Sequence, residues 1–301
     1  MLSRRPRRNR ISTAVRELCA ETGVRPADLV MPLFIQDGKG RADEIKNYAG
    51  YIQIDEGLKD KTASLSYNKD CFYLRSIADI KRRFPDLAVI TDTAMDPYSS
   101  DGHDGIFSEG GRILNDETLE ILGRMALAQA EAGADIIAPS DMMDGRVGYI
   151  RNALDNAGFQ DKLILSYTAK YASSFYGPFR DALQSAPKHG DKKTYQMDMR
   201  NVREAMTEAE LDVQEGADML MVKPGLPYLD VISKLSQSFN IPVAAYNVSG
   251  EYAAVKFAAL NGALDYRAAV TEILLSFKRA GADFILTYHA SEAAQWLTEK
   301  A

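Results

Sequence analysis

Two lysines occupy positions where lysine is rarely tolerated. Lys170 closes the apolar run LILSYTAK (163–170), and Lys223 lies in the apolar run MLMVKPG (219–225). A lysine in such a setting needs a partner or a task, because its charged form is costly to desolvate. Desolvation and the repulsion of two nearby ammonium groups both depress a lysine pKa. A neutral amine near pH 7 is the nucleophile that attacks a ketone or aldehyde to form an imine. For a single lysine, a structural pairing with a carboxylate is an equal alternative; two on consecutive runs favour Schiff-base chemistry.

Groups suited to a charged carbonyl substrate follow. Phe179–Arg180 comes ten residues after Lys170, and Lys192, Lys193 and Gln196 come soon after that. Arginine supplies a bidentate fork for a carboxylate, whereas Lys192 and Lys193 taken alone read as a solvated pair. The stretch 92–104 holds four aspartates (Asp92, Asp96, Asp101, Asp104) and His103. It could bind a hard cation such as Mg²⁺, act in acid–base chemistry, or position water. It contains no cysteine, so a thiolate zinc site is excluded there. His103 reads equally as a ligand or a hydrogen-bonded loop residue, and His189 and His289 have no supporting constellation.

These residues must be positioned by the runs that carry them. Seven short, near-continuously apolar runs recur at 29–36, 87–95, 135–141, 163–170, 219–225, 242–250 and 284–290. Continuous apolarity is expected of strands buried on both faces of a parallel sheet. Helix-period stretches separate them, as at 116–132 and 265–280. Ala-Gly-Ala-Asp recurs at 132–135 and 280–283, with Glu-Gly-Ala-Asp at 215–218. That phrase marks a helix ending on glycine before the next strand. The fold expected is α/β, a TIM (β/α)8-type barrel, whose active site lies at the C-terminal strand ends. Those ends carry Asp92, Ser140, Asp141, Lys170, Lys223, Ser249 and Tyr288. An eighth strand should fall between 37 and 86, where only the short Tyr51–Ile54 is strand-like, so the second βα unit reads as shortened or missing. The chain divides into an N-terminal basic arm with a first helix, 1–24, and a single barrel domain, 25–301.

Composition narrows the class. The 301 residues are 46% hydrophobic and 26% charged, as expected of a globular chain. No apolar run reaches the roughly 20 residues of a membrane span. A net charge of −6 gives the body no electrostatic reason to bind nucleic acid. Arg4, Arg5, Arg7, Arg8 and Arg10 form a local exception, read as a solvated tail, a nucleic-acid arm or an arm on another subunit. Only Cys19 and Cys71 occur, which suits a reducing, cytoplasmic location.

The sequence around the lysines resembles the porphobilinogen synthase, or δ-aminolevulinic acid dehydratase, family. SYTAKYASSFYGPFRDA (166–182) and MLMVKPGLPYLD (219–230) are similar to its two Schiff-base motifs. The likeness extends through RPRR (5–8), ILNDET (113–118), AGADIIAPSDMMDGRVG (132–148), GDKKTYQM (190–197), VSGEYA (248–253) and KRAGADFILTY (278–288). The resemblance implies condensation of two 5-aminolevulinate molecules to porphobilinogen, with loss of two waters, in tetrapyrrole (heme) synthesis. It implies Lys223 as the imine-forming lysine of the first substrate site and Lys170 as that of the second. Arg180, Lys192 and Gln196 match lid residues over the second site, with Phe179 beside them. Ser249 and Tyr288 match carboxylate ligands, and Asp92 and Ser140 match polar lining.

The basic N-terminus matches an arm that wraps a neighbouring subunit in a homo-octamer. The three cysteines of zinc-dependent members fall on Ala94, Asp96 and Asp104, so the resemblance is to the aspartate-rich type, without active-site zinc. That type implies an allosteric Mg²⁺ at Glu208, with Asp96 and Asp104 as weaker metal candidates. A few tens of residues around the second strand, including an aromatic wall of the first substrate site, are missing relative to the family. Two rival readings remain: a class I aldolase for another keto acid, which needs one reactive lysine, and a degenerate, non-catalytic barrel acting in assembly, which the deletion would favour.

Overall fold

The computed structural model describes residues 5–35, 44–45, 48–49, 54, 56–178, 187–188 and 190–299. Seven strands form one parallel sheet: β1 (Leu29–Val30), β2 (Ile90–Thr93), β3 (Ile136–Pro139), β4 (Leu163–Lys170), β5 (Met219–Lys223), β6 (Val243–Asn247) and β7 (Phe284–Thr287). Their order is β1-β7-β6-β5-β4-β3-β2, with every neighbouring pair parallel. All seven apolar runs therefore become strands. The first is far shorter than its run, because Pro32 lacks an amide for the ladder just beyond Val30. The sheet is the (β/α) barrel wall, and among the described residues β1 and β2 are its two edges. Most of the candidate second strand, Tyr51–Gln53, lies outside the described residues; Ile54 is described and belongs to no strand.

Alternation along the strands sorts side chains into two cores. Ile136, Ala138, Leu165, Tyr167, Met221, Ala244, Tyr246 and Leu286 pack together inside the barrel. Ile137, Ile164, Leu220, Val222, Ala245 and Ile285 face outward onto the helices. The helices named below are α1 (Thr13–Leu18), α2 (Asn115–Glu131), α3 (Arg146–Asn156), α4 (Arg203–Gln214), α5 (Ser249–Leu260) and α6 (Tyr266–Ala280).

The repeated Gly-Ala-Asp phrase has a double function. Gly133, Gly216 and Gly281 adopt φ of +106°, +104° and +105°, which ends each helix in a conformation glycine tolerates. Two residues later the aspartate reaches back to the preceding strand. Asp135 accepts from the amide of Val89 at 2.8 Å, Asp218 from Ile164 at 2.7 Å, and Asp283 from Val243 at 2.8 Å. Each crossover is thereby pinned at the N-terminal ends of two adjacent strands, leaving the C-terminal ends for the site.

Candidate active site

Strands β4 and β5 end side by side, with Lys170 paired to Lys223 in the ladder. Both are buried, at 6% and 5% exposure. The Lys223 ammonium nitrogen lies over three tyrosine rings, 4.6 Å from the centroid of Tyr246, 5.1 Å from Tyr167 and 5.5 Å from Tyr176. Burial first, and the charge of Lys170 second, lower its pKa to about 8. Lys170 Nζ donates to the backbone carbonyl of Ser140, just past β3, and lies 3.9 Å from Asp104 Oδ1.

The aspartate-rich segment meets the loop that follows Lys170. Lys192 Nζ donates to Asp96 Oδ2 at 3.0 Å and to Asp104 Oδ2 at 2.9 Å. Burial opposes charge on all three groups. Asp104 and Asp96 nevertheless hold the Lys192 pKa above its ordinary value. Lys170 and Lys192 hold Asp104 below the usual carboxylate range, while burial and the charge of Asp104 raise Asp96. Asp96 and Asp104, expected as metal candidates, are thus turned onto an ammonium group. Among the described residues no group of three or more His, Cys, Asp and Glu side chains is arranged to hold a metal ion. His103 is buried, with Nδ1 3.2 Å from Tyr195 Oη and its ring stacked 4.8 Å from Phe107.

The other expected site residues fall on several elements. Gln196 is buried, its Oε1 has no hydrogen-bond partner among the described residues, and the next residue donates its amide to the Lys170 carbonyl at 3.0 Å. Ser249 opens α5 and donates to the Phe175 carbonyl at 3.3 Å. Tyr288 follows β7, with its hydroxyl 3.2 Å from that of Tyr246 and its ring stacked on Phe34. Ser140 is buried, and Asp92 is exposed although its neighbours Thr91 and Thr93 are buried against Gln129. Phe179, Arg180 and His189 lie outside the described residues.

Glu208 does not join this pocket. It lies on α4, on the outer side of the sheet, where burial, opposed by Arg146 and reinforced by Asp212, Asp144 and Glu204, pushes its carboxyl up to about 7.

The sequence reading missed the three tyrosines around Lys223. The only signal for Tyr167 and Tyr246 was a lone aromatic inside each of the runs LILSYTAK and VAAYN, and Tyr176, in the segment after Lys170, carried none. It also gave His289 no constellation. The structure places its Nδ1 2.9 Å from Tyr266 Oη, which in turn donates to Glu292. Tyr266 lies 23 positions earlier, beyond the reach of any local spacing.

Comparison with known proteins accords with the geometry. The family model described as delta-aminolevulinic acid dehydratase matches residues 3–57 and 51–296. The chain is 51% identical to the chloroplastic delta-aminolevulinic acid dehydratase of Physcomitrium patens, over 97% of this chain and 74% of that protein. It is 49% identical to the enzyme of that name from Synechococcus elongatus, over 97% of this chain and 98% of that one. A crystal structure of the Toxoplasma gondii protein in complex with the reaction product porphobilinogen superposes with a TM-score of 0.96 at 48% identity, covering 98% of this chain and 92% of that one. The Physcomitrium alignment spans 319 positions, more than this whole chain has residues, so the relative carries residues that are missing here. The family match also breaks into two pieces at 51–57, where the second βα unit reads as shortened. The cytoplasmic location expected from cysteine content is overturned: the Physcomitrium protein and further plant relatives at 50% identity are chloroplastic by name. Unpaired cysteines report a reducing environment and do not say which compartment provides it.

Proposed function

The chain belongs to the delta-aminolevulinic acid dehydratase family, and on that premise we propose how its pocket condenses two 5-aminolevulinate molecules to porphobilinogen as a lyase of tetrapyrrole synthesis. The observation that carries the reading is the pair of buried lysines at adjacent strand ends, one with its pKa near 8. Lys223 attacks the ketone carbon of the first substrate, and the carbinolamine loses water to give an imine. Lys170 does the same to the second. Bond formation between the two substrates then releases both lysines, with two waters lost overall. An aldolase needs one such amine, and the register pairing of two argues against that rival.

The other residues hold the substrates. Ser249 and Tyr288 are assigned to the substrate carboxylates, and Gln196, whose oxygen has no partner among the described residues, to the second molecule. Arg180 and Phe179 are assigned to the lid by resemblance. Lys192 is assigned to the same lid, where its aspartate partners hold it charged and fix its place. Asp92 and Ser140 line the pocket.

An active-site zinc does not fit: the three positions carry Ala94, Asp96 and Asp104, and both carboxylates are engaged by Lys192. At Glu208 burial is the main cause that pushes the carboxyl up, Asp212, Asp144 and Glu204 add to it and Arg146 opposes it; a cation there would favour the charged form, although no three such side chains are arranged around one point among the described residues. We assign Mg²⁺ there, with a regulatory effect. The Arg-rich segment and α1 are assigned to an arm that packs on another subunit of a homo-octamer. Their support is that neither Pro6–Arg10 nor Thr13–Leu18 has a buried residue, while Ile11 and Leu18 are 74% and 87% exposed.

Borohydride reduction in the presence of 5-aminolevulinate, followed by mass mapping, tests the reading. A reduced adduct is expected on Lys223, and its absence sinks the proposal.

A further inference from the structure

Strand β4 does not run regularly to Lys170. Ser166 pairs with Leu220, but Ala169 pairs with Val222, so β4 advances three residues where β5 advances two. Tyr167 and Thr168 together oppose Met221, which is a β-bulge. The bulge changes which face each later side chain takes. Before it, Leu163, Leu165 and Tyr167 point into the barrel, while Ile164 faces the helices. An unbroken strand would continue by sending Ala169 inward and Lys170 outward. Instead Ala169 packs in the outer core and Lys170 reaches Ser140 and Asp104 in the pocket.

A buried polar assembly behind the sheet grips this bulge. Asp212 of α4 is 2% exposed, and its Oδ2 accepts from both Ser166 Oγ, at 2.6 Å, and Thr168 Oγ1. Arg146 of α3 is 1% exposed; it donates to Ser166 Oγ at 3.0 Å and to the Tyr167 carbonyl at 3.4 Å, and lies 3.4 Å from Asp212 Oδ1. Two hydroxyls and a carbonyl from successive residues of an otherwise apolar strand are thus tied to one carboxylate and one guanidinium. A bulge leaves strand groups without ladder partners, and this assembly supplies polar partners on the side of the helices.

We infer that Asp212, acting through Thr168 and Ser166, is a positioning residue that holds the β4 bulge and thereby turns Lys170 into the pocket beside Lys223. These groups bond to one another on the helix side of the sheet, and their effect is on where one amine points. A regular strand is the competing local arrangement, and it would cost the second imine while leaving the first lysine in place on β5, where burial, the larger cause, still lowers its pKa.

The inference rests on Lys170 as the second imine-forming lysine, and the test separates the two. The full-length enzyme, wild type and variants, is reduced with borohydride in 5-aminolevulinate, and the adducts on Lys170 and Lys223 are counted by mass mapping. Thr168→Val keeps the shape and removes the hydroxyl; Thr168→Ser restores it. In Thr168→Val the Lys170 adduct is expected to fall at least about tenfold while the Lys223 adduct stays within about twofold, with kcat/KM reduced about 100-fold as for a misplaced reacting group. Thr168→Ser is expected to recover both. Asp212→Asn, which keeps side-chain size, should reproduce the selective loss and serves if Thr168→Val does not fold. A wild type that traps no Lys170 adduct overturns the role of Lys170 itself. A wild type that traps it, with an unchanged Lys170 adduct in the variants or an equal fall at both lysines, overturns the positioning role alone.

Discussion

At the residue scale the proposed chemistry depends on one amine being neutral often enough to react. With a pKa of about 8, roughly 9% of Lys223 is neutral at pH 7, against about 0.03% for an ordinary lysine near 10.5. Environment alone therefore raises the reactive fraction about 300-fold. The sign follows directly: the neutral form gains as pH rises through 8, so the rate of Lys223 trapping should climb about tenfold per unit below pH 7.5 and level off above 8.5. A pH series of the trapping reaction checks this, and a limb displaced to pH 10 would mean that burial does not tune this lysine. Lys170 and Lys223 were legible from their apolar flanks, since a charge in such a run is anomalous wherever it occurs. The tyrosine box around Lys223 was not legible, because its rings come from β4, β6 and the segment after Lys170, and only folding brings them over one atom.

At the element scale, the Gly-Ala-Asp phrase states more than a helix stop. The glycine was readable as a terminator, and its φ near +105° agrees in all three copies. The aspartate's bond to the preceding strand was not readable, because its partner lies 40 to 54 residues earlier. Asp218→Ala should leave the Ile164 amide without its carboxylate, costing about 1–2 kcal/mol and lowering Tm by roughly 2–5 °C. Thermal melting measures it, and an unchanged Tm would show the bond to be dispensable. Strand length was the weakest element reading: a proline just past Val30 cut the first run to two paired residues, since a missing amide outweighs apolar character.

At the scale of the whole molecule, the barrel has seven parallel strands among the described residues, and its edges are β1 and β2. Asp92 on edge strand β2 is exposed, in keeping with an interior that is less enclosed on that side. An edge normally has to be covered, so the proposed assembly would bear on stability. Light scattering and thermal melting on three proteins test the assembly proposals together. The full chain should form the largest particle, removal of residues 1–24 should yield a smaller one, and Mg²⁺ should raise the Tm of the full chain but not of Glu208→Gln. A truncated chain that assembles like the full one would overturn the arm, and an equal Mg²⁺ response in Glu208→Gln would overturn the cation site.

The linear sequence by itself determined the fold class, the order of the seven strands along the chain and the two anomalous lysines, because apolar period and charge within an apolar run are written locally, and its long motifs carried the resemblance to the family. It also carried the mark of the shortened second βα unit, as a stretch with no helical stripe and one weak strand. Tertiary structure alone decided that Asp96 and Asp104 close on Lys192, that Glu208 stands behind the sheet, and that a bulge sends Lys170 inward. Each of these depends on partners that are distant in sequence, and on the face a side chain takes, which one inserted residue reverses.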